Sequence, residues 1–103
     1  MTPKRFSLTA LAAGYAVIYA VPAGKAALLK NLTLTNTTGA DALVSLHIVP
    51  AGQSPSLGNA LLYNLTVPAQ GMFDWQGLHV LEAGDELYAV GEGVTAILSG
   101  TEL

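Results

Sequence analysis

Cysteine is absent from this 103-residue chain, and charged residues are scarce. Without a thiol the chain has no disulfide, no thiolate nucleophile and no zinc site built on sulfur. The charged fraction of 11% is about half of what soluble domains carry. The four basic residues form no stripe that could neutralise phosphates, so we expect no nucleic-acid partner. Low charge together with 51% hydrophobic residues indicates that another chain covers part of the surface.

Long hydrophobic runs are also missing. No apolar run reaches the roughly 20 residues that a membrane-spanning helix needs, so we expect no membrane partner. The apolar run over residues 8–21 follows two basic residues, as in a secretory signal peptide, but it is interrupted by Thr9 and Gly14. Its second half alternates and leads directly into a Pro-Ala-Gly turn and another alternating strand, so we interpret it as half of a hairpin.

Alternation with a period of two is the dominant pattern and predicts β-strands. It is clearest over residues 42–49, where Val44, Leu46 and Ile48 share one face. In the strand predicted over residues 26–36, Lys30 interrupts the apolar face. A β-bulge near Leu29 and Lys30 would restore the alternation, and a strand end near the rim would do so too. Residues 7–13 have a composition that suits a helix, but a strand fits as well.

Turns rich in proline and glycine separate the alternating segments at intervals of about 8–12 residues, a spacing typical of sandwiches and barrels. The sequence therefore predicts an all-β protein, a single-domain two-sheet antiparallel β-sandwich that is jelly-roll-like and has about eight short strands. We assign residues 15–103 to the β-sandwich domain and residues 1–14 to an N-terminal arm and first strand, within one domain overall.

No group of residues suits catalysis, so we predict a non-enzymatic protein without catalytic, metal or cofactor sites. His47 and His79 lie on different predicted strands, and no spacing suggests a metal site. We expect His47 to be a half-exposed strand histidine. Asp74, between Phe73 and Trp75, lacks the partner carboxyl that glycoside hydrolysis requires.

Aromatic side chains offer one alternative function. Phe73 and Trp75 would share one face of a strand, and with Tyr63 they are candidates for a glycan-binding platform. Such side chains more often pack in a core or at an interface, and we expect that role here.

Several motifs follow one another along the chain in a recognisable order. Residues 19–39 comprise a strand, a Val-Pro-Ala-Gly-Lys turn and a second strand that ends in Asn-Thr-Thr-Gly. Residues 44–52 read Val-Ser-Leu-His-Ile-Val-Pro-Ala-Gly, a Ser/Gly/Asn loop follows, and residues 78–85 read Leu-His-Val-Leu-Glu-Ala-Gly-Asp. A closing strand ends in Ser-Gly. Over roughly residues 15–101, the chain resembles small β-sandwich structural proteins of tailed-phage virions.

The resemblance implies a capsid decoration, or cement, protein that binds the major capsid protein and stabilises the shell. A tail, baseplate or fibre module of a phage is one alternative, and a host-glycan-binding β-sandwich is another. Implied partners are the major capsid protein or other virion proteins and copies of the chain itself, with a trimer favoured. The implied location is the virion, with the capsid surface favoured over the tail. We expect a terminal arm that reaches a neighbour and comprises Met1, Thr2, Pro3, Lys4, Arg5, Phe6 and Ser7.

Overall fold

A computed structural model describes residues 2–103, which form eight β-strands and one short 3-10 turn at Leu57–Asn59. Within these residues there is no helix of the length and apolarity needed to cross a membrane. The strands are β1 (Thr2–Ala10), β2 (Ala16–Ala20), β3 (Ala27–Asn36), β4 (Ala42–Val49), β5 (Ala60–Val67), β6 (Met72–Leu81), β7 (Glu86–Val90) and β8 (Val94–Glu102).

The strands form two antiparallel four-stranded sheets that stack face to face. The first sheet has the order β1-β8-β3-β6, and the second has the order β2-β7-β4-β5. This is the strand order of a jelly roll, in which two Greek keys wrap around one core. The prediction of an all-β two-sheet sandwich with about eight strands is therefore confirmed.

The core lies between the sheets and is built from the inward positions of both. Leu32 and Leu34 on β3 are fully buried and lie opposite Leu98 and Ala96 of β8. Leu46 of β4 and Leu87 of β7 meet them from the second sheet. Burying one such leucine stabilises the fold by about 1.5–3 kcal/mol. The alternation seen in the sequence is thus the pattern of the core.

The interruption at Lys30 is a β-bulge, as one of the two sequence-based alternatives proposed. The pairing of β3 shifts between Leu29 and Asn31 against both neighbouring strands, while the strand continues to Asn36. Lys30 is exposed, and Leu29 and Leu32 are both fully buried although they are three residues apart. The extra residue resets the alternation, so a basic side chain is accommodated without entering the core.

The N-terminal segment does not extend from the body as a separate arm over residues 2–7. It belongs to β1, which pairs with β8 from Thr2 opposite Glu102 to Ala10 opposite Thr95. Phe6 is buried and its ring stacks on Tyr19 with a centroid distance of 4.5 Å, which holds the strand in place. Met1 lies outside the described residues. A role of this segment in an interface remains a prediction.

Candidate functional site

His47 is the histidine most remote from solvent. Its side chain is 1% exposed, so the prediction of a half-exposed strand histidine is wrong. The cause is that two residues distant in sequence cover the outer face of β4 at this point. The Tyr15 hydroxyl lies 3.0 Å from Nε2 of His47, and Oδ1 of Asn59 lies 2.8 Å from Nδ1.

The contacts of Asn59 show which ring nitrogen of His47 carries a proton. Its amide nitrogen donates to the carbonyl of Ser54 at 3.0 Å, and its Oδ1 accepts from the backbone N–H of Ser56 at 3.0 Å. Oδ1 must therefore accept from His47, whose Nδ1 carries a proton, and in the neutral tautomer with that proton Nε2 is the acceptor for the Tyr15 hydroxyl. Nδ1 thus fastens the 50–59 loop to the second sheet and Nε2 holds Tyr15 against it, so His47 has a structural role.

Asp74 lies on the outer face of the first sheet, and neither of its two hydrogen-bonding partners is a carboxylate. It accepts a hydrogen bond from the Thr33 hydroxyl at 2.8 Å and a longer one from Nδ2 of Asn31 at 3.4 Å. These are ordinary cross-strand pairs of an exposed sheet face. Within residues 2–103 no three His, Asp or Glu side chains are grouped so as to hold a metal ion.

The three aromatic residues named as a glycan platform have different environments. Phe73 and Trp75 lie opposite Leu34 and Leu32 on the inner face of β6, and both pack against the core. Tyr63 lies on β5 of the second sheet and is 56% exposed. The packing role expected for Phe73 and Trp75 is confirmed, whereas a platform that combines all three residues remains a prediction.

Trp75 has a second partner that the sequence analysis missed. Its ring stacks on the imidazole of His79, with centroids 5.1 Å apart and planes 10° from parallel. A Cβ at Gly77 would lie 2.6 Å from the indole, so only glycine allows the ring to cover that position. The sequence pattern Trp-x-Gly-x-His indicates this stack, because alternate residues of a strand lie on one face and the glycine between the two rings leaves room for them.

His79 also lines an open groove of about 500 Å³ at one end of the sandwich. The groove lies between the 50–59 loop, the start of β5 and the end of β6, and none of its lining residues carries a carboxylate, an ammonium or a guanidinium group. Its lining consists of Ile48, Pro50, Gln53, Ser56, Gly58, Asn59, Ala60, Leu61 and His79.

A charged cluster joins the two sheets at the opposite edge, where β1 and β8 meet β2. Lys4 forms an ion pair with Glu102 at 2.9 Å, and the Tyr19 hydroxyl donates to the same carboxylate oxygen at 2.8 Å. Hydrogen bonds from Lys4 and then from Tyr19 lower the pKa of Glu102 below its usual value. Burial, followed by the hydrogen bond to the Glu102 carboxylate, raises the pKa of Tyr19. This cluster fastens the N-terminal strand to both sheets.

The outer face of the second sheet carries few charges: among the residues of β2, β4, β5 and β7 the one charged residue is Glu86, which lies on the same side of β7 as Tyr88. Alternation and register place Val17 and Tyr88 opposite one another on this face, with Tyr15 beside His47 and Leu43 further along β4. Tyr15, Val17 and Leu43 are 47%, 44% and 57% exposed. We call these four residues the tyrosine face. Protein interfaces are typically enriched in tyrosine and depleted of charge at their centre.

The outer face of the first sheet differs in composition. Its outward positions include the exposed apolar residues Leu8, Met72 and Val80, but they are accompanied by the charged residues Arg5 and Asp74 and by Lys30 at the bulge. Charged groups that are well solvated are costly to bury against another protein unless each finds a partner. Of the two outer faces, the tyrosine face is therefore the better candidate for contact with a protein.

Comparisons of this chain with protein-family models, with curated proteins and with solved structures find no match.

Proposed function

We propose that this chain is a non-enzymatic structural protein of a virion, a capsid decoration subunit that binds the major capsid protein and stabilises the shell. The observation that supports this proposal most directly is the tyrosine face, a surface on one side of a jelly roll whose four strands carry a single carboxylate, Glu86. The resemblance of the turn motifs to phage β-sandwich proteins supports the same assignment. The subunit acts by surface fit, and it associates as a trimer.

Burial of the tyrosine face explains how such a subunit would bind. Each square ångström of apolar surface removed from water contributes about 25 cal/mol, and the rigid sheet loses little freedom on docking. Aromatic side chains such as Tyr15 and Tyr88 offer large contact areas at a small entropic cost. A carboxylate introduced on this face would be buried without a partner in the complex and would weaken binding strongly.

A matched pair of variants tests the docking face. Leu43 and Leu78 are each 57% exposed, the first on the tyrosine face and the second on β6 of the other sheet. Capsids stripped of the subunit are mixed with each variant and sedimented. Leu43→Glu should weaken co-sedimentation by at least about tenfold, since an unpaired buried charge costs several kcal/mol, whereas Leu78→Glu should bind normally. Equal binding by both variants would refute the tyrosine face as the docking surface.

Two further measurements test location and assembly. A reconstruction of the native particle should place the subunit on the capsid surface, and density confined to the tail, baseplate or fibres would support the tail module instead. Analytical ultracentrifugation should give about three times the subunit mass of 10.6 kDa. A species at the subunit mass at high protein concentration would contradict the trimer.

A further inference from the structure

The groove lined by His79 has the size and the fixed walls of a ligand site. Its volume of about 500 Å³ falls within the range of about 300–1,000 Å³ that is typical of small-molecule sites. Asn59 in its wall is held by Ser54, Ser56 and His47, so this side of the groove is rigid. The stack with Trp75 fixes the imidazole of His79 on the opposite side.

Polar groups without partners are exposed along this groove. Within residues 2–103, neither ring nitrogen of His79 and neither atom of the Gln53 amide makes a hydrogen bond to the protein. Trp75 occupies one face of the imidazole, which leaves the ring nitrogens at its edge for another molecule. Ile48 and Leu61 add apolar surface beside them.

The lining favours one class of ligand. A charged ligand would require an opposite charge or an array of donors, and no lining residue supplies a carboxylate, ammonium or guanidinium group. The imidazole and the amide of Gln53 can each donate and accept, which suits vicinal hydroxyl groups. Apolar side chains such as Leu61 suit the C–H faces of a pyranose ring. We propose that this groove binds a neutral saccharide.

This site is distinct from a platform built from Tyr63, Phe73 and Trp75. Phe73 packs against the core and Tyr63 is not among the lining residues of the groove. Trp75 acts here through His79, as a support for the imidazole. The proposal does not depend on the virion role, because the groove residues are separate from the tyrosine face.

The test is a titration of the full chain with neutral trisaccharides, followed by backbone amide NMR shifts and by the fluorescence of the single tryptophan. Maltotriose, cellotriose and tri-N-acetylchitotriose are the neutral probes, 3′-sialyllactose is the acidic probe, and triglycine is the peptide probe. At least one neutral probe should bind, with shifts centred on Gln53 and His79. Binding only to 3′-sialyllactose or only to triglycine would overturn the assignment, and so would the absence of binding by every probe at about 10 mM, a weak-affinity limit.

Variants locate the binding within the groove. Gln53→Ala should weaken binding by about 2- to 10-fold, the usual effect of losing one hydrogen-bonding side chain. Gln76→Ala is the matched control, since Gln76 is an exposed glutamine on the outer face of β6. His79→Phe keeps a ring against Trp75 while removing both nitrogens, and it should weaken binding to a similar extent. Binding that Gln53→Ala and His79→Phe leave unchanged would refute the groove as the site.

Discussion

Substitution of Asn36 should destabilise the fold far more than its small size suggests. The side chain is fully buried and makes four hydrogen bonds. Its Nδ2 donates to the carbonyls of Ala40 at 2.8 Å and Val67 at 3.1 Å, and its Oδ1 accepts from the backbone N–H and the hydroxyl of Thr38 at 2.9 and 2.7 Å. The residue therefore closes the turn after β3 and connects that turn to β5 of the other sheet.

The size of the loss in stability depends on which hydrogen-bonding partners of Asn36 water can reach. Thr38 and Ala40 are exposed, so water can replace Asn36 there, but Val67 is fully buried, so water cannot replace the donor that its carbonyl would lose. An unpaired buried acceptor costs about 1–3 kcal/mol, and the remaining bonds contribute about 1 kcal/mol net, so Asn36→Ala should cost about 2–4 kcal/mol. Domains of this kind have only about 5–15 kcal/mol of total stability.

Urea denaturation measured by tryptophan fluorescence gives the free energy of unfolding directly. Asn31→Ala on the same strand is the control, because the Asn31 side chain is only half-buried and contacts Asp74 at 3.4 Å; it should change stability by less than about 0.5 kcal/mol. Asn36→Asp should be at least as destabilising as Asn36→Ala at neutral pH and should partly recover in acid, when its carboxyl can donate a proton to a carbonyl. A loss below about 1 kcal/mol for Asn36→Ala would refute the claim that the Val67 carbonyl loses a donor that water cannot replace.

Three other perturbations probe packing and pH dependence. Gly100→Ala should lower the free energy of unfolding by about 3 kcal/mol, the upper end of overpacking penalties, because the new Cβ would overlap the Leu28 carbonyl oxygen. Gly39→Ala is the control and should be tolerated, since no atom lies within 4 Å of its new Cβ. Equal urea midpoints for the two variants would contradict the overpacking at Gly100. The lowered pKa of Glu102 implies stability that is complete above the ordinary value of about 4.3 and is lost as the pH falls through the folded-state pKa. Glu102→Gln should therefore flatten the acid limb of a plot of melting temperature against pH, and an unchanged limb would count against the cluster. The raised pKa of Tyr19 predicts a loss of stability on the alkaline side, as the pH rises above about 10. Tyr19→Phe should remove that loss. Its persistence in Tyr19→Phe would contradict the role given to the Tyr19 hydroxyl.

The sequence predicted those features that depend on local pattern. Alternation located β3 and β4 to within one residue at each end, and the interruption at Lys30 correctly suggested a bulge. Both are properties of a short segment, because a strand with one buried face imposes the period wherever it occurs. A jelly-roll-like sandwich was anticipated from the number and spacing of the strands, since few all-β arrangements fit eight short strands in one domain, whereas the order of the strands comes from the structure.

Features that depend on distant partners were not predictable in this way. The burial of His47 requires Tyr15, which is 32 residues away in sequence, and the fold of the 50–59 loop around Asn59. That loop contains proline, glycine and serine without periodicity, so nothing in the sequence indicated that it would form a wall of the groove. By contrast, the stack of Trp75 on His79 was predictable from their even spacing across Gly77, although it was not recognised.

The pairing of β1 with β8 brings together residues from the two extremes of the described chain. In the first sheet β1 contacts no strand other than β8, so it stays unpaired until β8 has emerged from the ribosome. Closing so long a loop delays the favourable contacts, and sandwiches with such remote pairings fold on the slower millisecond-to-second scale. Until β8 is made, the edge of β3 that β8 will cover is also unpaired. During synthesis this edge is therefore vulnerable to pairing with the wrong chain. A nascent subunit of this type gains protection only when β8 is in place.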